Sequence, residues 1–161
     1  MSHTTTVKSV AIRDISALRA AVAELQSKGV RCELLEGPQV TPRMYYSGQS
    51  AELKGKTPFV LKLNDSPYDV GFQLMEDGTY APVMDTFAGH IKKQIGAECG
   101  CSGKTEGESA AVAIGGLMQR YAKHAAINAA VAQGFSVEDV AYNEATGDVH
   151  LTIDASTYSG Y

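Results

Sequence analysis

The stretch from Ala110 to Gly134 constrains the fold more than any other. It is alanine-rich and is the longest helix-like run in the chain. Ile114, Leu117 or Met118, Tyr121 and Ala125 recur at helical spacing and share one predicted face. Arg120, Lys123 and His124 lie on another. Gly134 stands where a left-handed C-cap belongs, and Phe135 can fold back on the last turn. A helix of this length needs a surface to cover, and the rest of the chain supplies strands.

A first strand is expected from about Thr5 to Ile12. Asp14 is an N-cap for an amphipathic helix with Ile15, Leu18, Val22 and Leu25 on one face, ended by Gly29. Val30 to Glu36 reads as a second strand. Residues 37–58 hold Pro38, Pro42, Gly48, Gly55 and Pro58 and read as a long loop or irregular strands. Phe59, Leu61 and Leu63 alternate inward, and Val70, Phe72 and Leu74 repeat that pattern. Asp77-Gly78 is a hairpin turn leading into Thr79 to Val83. Asp85 is expected to cap a short helix with Phe87, Ile91 and Ile95 on its face. Residues 96–109 read as a loop. Ser136 to Tyr142 and Val149 to Ile153 form a terminal hairpin turning at Gly147-Asp148, and 155–161 is a flexible tail. The sum is a single α+β domain over 1–161: a mainly antiparallel sheet with helices packed on one face, a two-layer sandwich. The Tyr121 face is expected to cover Phe72, Leu74, Leu151 and Ile153, with Lys123 turned to solvent.

The chain has 161 residues, 44% hydrophobic and 20% charged. A chain of this size buries roughly 70% of its unfolded surface and needs no staple. Its net charge of −4 disfavours nonspecific binding to duplex nucleic acid. There is no long apolar run for a membrane span and no n-region/h-region pattern at the start, so the expected compartment is the cytoplasm. The three cysteines, Cys32, Cys99 and Cys101, are odd in number and suit a reducing environment.

Several residues carry candidate chemistry. Gly100 to Thr105 resembles the back half of a phosphate-binding loop. Glu98 occupies the place of the required glycine, however, and the preceding segment is charged rather than a buried strand. Cys99 and Cys101 are the weak candidates for a metal or thiol site, lacking the second ligand pair that zinc sites carry. Cys32 in its strand reads as a small core residue. Arg120, Lys123 and His124 are the candidate contact for an acidic partner or a phosphate backbone. Tyr45 and Tyr46 beside Arg43 are placed to stack bases or to pack a loop on its sheet. No nucleophile motif accompanies any Cys, His or Asp, so no catalytic residue and no cofactor is assigned, and the reading leans away from an enzyme.

Three places together resemble one family. The N-terminus runs from Met1 through Thr4-Thr5-Thr6-Val7-Lys8 into Asp14-Ile15-Ser16-Ala17-Leu18. The middle carries Asp69-Val70-Gly71-Phe72 and Asp77-Gly78-Thr79-Tyr80. The end carries Gln119-Arg120-Tyr121-Ala122, then Gln133-Gly134-Phe135-Ser136-Val137-Glu138 and a hairpin. This is similar to the hypothetical-chloroplast-reading-frame-thirty-five family, a domain of unknown function shared by plastids, cyanobacteria, other bacteria and tailed phages. The resemblance implies no catalytic residues. It implies an accessory role, because genes of that family often neighbour an AAA-type ATPase. The 96–109 stretch and the absence of a basic C-terminal end depart from the family pattern and suit a phage-encoded variant, acting in the host cytoplasm. The resulting expectation is a non-enzymatic accessory or binding protein docking on a protein partner such as an AAA-type ATPase. The alternatives are a nucleic-acid-binding accessory protein using Arg43, Tyr45, Tyr46, Arg120 and Lys123, a virion or oligomeric structural protein, and a metal- or thiol-dependent enzyme using the Cys99/Cys101 loop.

Overall fold

The computed structural model describes residues 4–6, 11–96, 106–142 and 149–154. Asp14 opens helix α1 (Ile15–Ser27) as expected: its Oδ1 accepts the Ala17 N–H at 3.0 Å, satisfying one of the donors that every helix start leaves over. The helix ends with the Val30 N–H donating to the Leu25 carbonyl at 3.1 Å, the long bond of a Schellman turn. Strands β2 (Cys32–Glu36), β3 (Phe59–Leu63), β4 (Val70–Leu74) and β5 (Tyr80–Asp85) then form an antiparallel meander. Strand β1 (Thr4–Thr6) joins it against β5, giving a five-stranded sheet of order β1-β5-β4-β3-β2. The β4–β5 connection turns at Asp77-Gly78, where Asp77 Oδ1 accepts from the Thr79 N–H at 3.0 Å.

Alternation decides the layers. Leu61 and Leu63, Val70 and Phe72, and Met84 share one core with Leu18, Val22, Ile114, Leu117 and Tyr121 from the helices. Val60, Gly71 and Val83 occupy the alternate positions. Onto that second face folds the 37–58 segment, which is a loop carrying a short helix α2 (Ser47–Glu52). Gly71 is the reason it fits. A Cβ there would fall 2.9 Å from Pro42 Cγ, 2.9 Å from Thr57 Cγ2 and 3.1 Å from Val83 Cγ1. The architecture is α+β, with the long helices on one face of a mainly antiparallel sheet and a proline-rich loop on the other.

The alanine-rich run is not one helix. It divides at Ile114 (φ −114°, ψ 14°) into α4 (Glu106–Ala113) and α5 (Gly115–Ala132). Just after the break, Gly116 lets the start of α5 press on the end of α3 (His90–Ile95): a Cβ on it would lie 2.8 Å from the Gly96 carbonyl oxygen. Residues 106–109, expected in a loop, are therefore helical, while 97–105, with Cys99, Cys101 and the Gly100–Thr105 stretch, lie outside the described residues. The predicted C-cap holds: the Phe135 N–H donates to the Ala130 carbonyl at 3.1 Å.

Of the first strand, Thr4–Thr6 pairs with β5 and Ile12 makes an isolated bridge to Tyr80, while residues 7–10 lie outside the described residues. Two further expectations change. Asp85 ends β5 rather than capping α3. Ala88 (φ 56°) and Gly89 (φ 66°) both turn left-handed between them, which throws Phe87 off the Ile91–Ile95 face and leaves it exposed. Finally, β6 (Ser136–Tyr142) and β7 (Val149–Asp154) form their own two-stranded sheet, packed principally on α5. Tyr121 is buried in the core with Phe72, but Leu151 and Ile153 belong to that separate sheet, and Leu74, at the far end of β4, is exposed. The Gly147-Asp148 turn and residues 155–161 lie outside the described residues.

Candidate functional site

Arg43 lies where the proline-rich segment crosses the end of the sheet. Its Nε and Nη2 donate to the two carboxylate oxygens of Asp69 at 2.9 and 2.8 Å, and its Nη2 also reaches the Leu63 carbonyl at 2.7 Å and the Ser66 carbonyl at 3.0 Å. Asp69 is buried and accepts in addition from the backbone N–H of Arg43 at 2.9 Å and of Leu63 at 3.1 Å. A forked guanidinium on a carboxylate is the geometry that arginine alone supplies. Arg43 thus fastens the loop to the β3–β4 connection.

Two residues further on, the loop meets Asp85. This carboxylate is fully buried, accepting from the Tyr45 N–H at 3.1 Å and the Phe87 N–H at 3.0 Å. One side chain therefore ties together two segments distant in sequence. Above it the rings of Tyr45 and Tyr46 meet edge to face, centroids 4.8 Å apart, and Tyr45 meets Phe87 at 5.4 Å. Tyr45 and Tyr46 are each 53% exposed and Phe87 39%. Aromatic rings left uncovered on a fixed base are the side chains that dominate the centres of protein interfaces. Beneath them Tyr68 meets the ring of His90 at 5.5 Å, and burial together with the Asp85 charge raises its phenol above the ordinary tyrosine range.

The second group of candidates is placed differently. α1 runs beside α5, so the side of α5 flanking Tyr121 faces α1 and not solvent. Lys123 Nζ lies 2.6 Å and His124 Nε2 2.9 Å from Glu24 Oε2, and Arg120 Nε lies 3.7 Å from Glu24 Oε1. Arg120 also donates through Nη1 to the Gly116 carbonyl at 2.9 Å. The Lys123 side chain is only 14% exposed, which overturns its reading as a solvated residue. Burial pushes the Glu24 carboxyl up, but hydrogen bonds and charge from Lys123 and His124 outweigh it and hold the group below the ordinary glutamate range. These three basic residues join two helices.

The sequence-derived candidates therefore separate. Tyr45 and Tyr46 are brought together with Phe87, which the sequence placed on a helix face. Arg43 sits next to them but is engaged by Asp69. Arg120, Lys123 and His124 are gathered on Glu24. Of the partners, only Asp85 left a local signal, an aspartate two residues before the N–H that it accepts. Asp69 and Glu24 act at long range, and nothing in their spacing announces it. Cys32 is buried, and burial raises its thiol, the opposite of what a reactive cysteine needs. Among the described residues, no cluster of three or more His, Cys, Asp or Glu is arranged to hold a metal, and no helix is long and apolar enough to cross a membrane. No protein family, curated protein or solved structure matches the chain.

Proposed function

We propose that this chain is a non-enzymatic accessory protein that docks on a protein partner through Tyr45, Tyr46 and Phe87. The observation that carries this reading is the exposed aromatic array on a base already fixed by Asp85 and by the Arg43–Asp69 fork. Because the base is ordered before docking, little conformational freedom is lost when a partner arrives. The family resemblance suggests an AAA-type ATPase as that partner, a phage as the source and the host cytoplasm as the place of action.

The nucleic-acid reading is weaker. Tyr45 and Tyr46 can stack on bases, but Arg43, Arg120 and Lys123 each engage a carboxylate, which leaves little of their charge to neutralise phosphate. The metal- or thiol-dependent reading turns on Cys99 and Cys101, outside the described residues.

The test is recovery of partners from the native host with the wild-type chain and with a Tyr45→Ala/Tyr46→Ala/Phe87→Ala variant whose circular dichroism matches wild type. Mass spectrometry should find an ATPase retained by the first and lost by the second. Equal retention by both chains would sink the proposed surface. Salt-sensitive capture of nucleic acid alone would favour the weaker reading.

A further inference from the structure

The β6–β7 hairpin is poorly buried. Among its described side chains none is fully buried: Val137, Val140 and Leu151 are half-covered, Ile153 is 42% exposed, and Glu138, Asp139, His150 and Thr152 stand in solvent. Cross-strand pairing sets Val137 opposite Ile153 and Val140 opposite Leu151, so one face of the hairpin is apolar, and α5 covers it only in part. A two-stranded sheet is marginal by itself and gains stability from further strands.

The two edges of this sheet differ. β6 carries Glu138 and Asp139 and a register shift between Val137 and Asp139. Adjacent charges and bulges are devices that block edge pairing. β7 carries neither, and among the described residues the sheet ends there.

We propose that β7 pairs with β7 of a second copy of this chain, antiparallel, about a two-fold axis passing Thr152. The observation that selects a second copy is self-complementarity along the strand. With Thr152 opposite its own equivalent, Leu151 faces Ile153 of the other chain and His150 faces Asp154 of the other chain, twice each by symmetry. Apolar pairs, threonine pairs and pairs of a basic with an acidic residue all stabilise directly opposed positions. Alternation places His150, Thr152 and Asp154 on the outward face and Leu151 and Ile153 on the face towards α5. The result is a four-stranded sheet with both copies of α5 on one side. That arrangement gives Ile153, which is 42% exposed, an apolar neighbour across the new pairing. An interface that uses the same patch on both subunits closes as a dimer and does not propagate.

Sedimentation of the full chain across micromolar concentrations should give twice the 17.1 kDa chain mass. His150→Asp sets carboxylates against carboxylates and should weaken the dimer about ten-fold or more, and Asp154→His should weaken it similarly. An equimolar mixture of the two variants should recover near-wild-type affinity as a heterodimer, because both imidazole–carboxylate pairs are restored between chains. That rescue separates pairing between copies from any role these residues have within one. Thr152→Cys, in a Cys99→Ser/Cys101→Ser background, should cross-link to its equivalent under mild oxidation. A wild-type chain that stays monomeric overturns the proposal. So does a dimer that ignores both charge changes, or one that the mixture fails to restore.

Discussion

The hydroxyl of Tyr121 accepts the backbone N–H of Arg13 at 2.9 Å, a contact between residues 108 positions apart. It accepts the Asp14 N–H as well, at 3.2 Å. The organising helix therefore does more than cover the sheet: it anchors the turn from which α1 starts. Asp14 adds a second tie, accepting from Asn128 Nδ2 at 3.0 Å.

These contacts separate the ring of Tyr121 from its hydroxyl. Tyr121→Phe keeps the ring but leaves two backbone donors without an acceptor, at a cost of about 1–2 kcal/mol. Tyr121→Ala also opens a cavity and should cost about 3–5 kcal/mol. Urea midpoints of the three proteins measure both steps. A Phe variant that unfolds at the wild-type midpoint would mean the hydroxyl contributes nothing to stability.

Glu24 carries a pH-dependent prediction. Its folded-state carboxyl lies below the ordinary glutamate value, so folding favours the charged form. The stability this gives is complete above the unfolded value and is lost as pH falls through the folded one. Glu24→Gln should cost about 1–3 kcal/mol at neutral pH, between the values for exposed and buried pairs. The gap to wild type should close in acid. Thermal unfolding from neutral to acidic pH tests this, and a pH-independent gap would show that packing, not charge, is what the variant removes.

At Gly71 the prediction is steric. Gly71→Ala places a methyl group against Pro42, Thr57 and Val83 and should cost about 1–3 kcal/mol as overpacking. Because the first two belong to the 37–58 segment, limited proteolysis should cut there sooner than in wild type. Unchanged cleavage with lowered stability would place the strain within the sheet.

What was legible in the sequence was mostly local. Asp14, Gly29 and Gly134 marked helix ends through hydrogen bonds to near neighbours, and Asp77-Gly78 marked its turn. Strand alternation identified Phe59, Leu61, Leu63, Val70 and Phe72 as one face. The misreadings arose where a distant group decided the outcome. The break at Ile114 falls beside the packing of Gly116 on the carbonyl of Gly96, a long-range contact that periodicity within the alanine-rich run does not encode. Lys123 looked solvated because a helical wheel shows angular position but not that a second helix lies alongside. Phe87 lost its helix face to the consecutive left-handed residues Ala88 and Gly89, and alanine is not a residue that announces such a conformation. For the candidate site, Tyr45 and Tyr46 were legible as a pair, while their third ring and buried base were not.

The hairpin's dependence on α5 has a kinetic side. A unit resting mainly on one helix can come away without disturbing the meander, so the molecule should open in at least two cooperative pieces. Amides of β6 and β7 would exchange with solvent first, and those of β3 and β4, enclosed on both faces, last. In a pairing of two chains through β7, the slower of these clocks would be untouched and the faster one would slow with concentration.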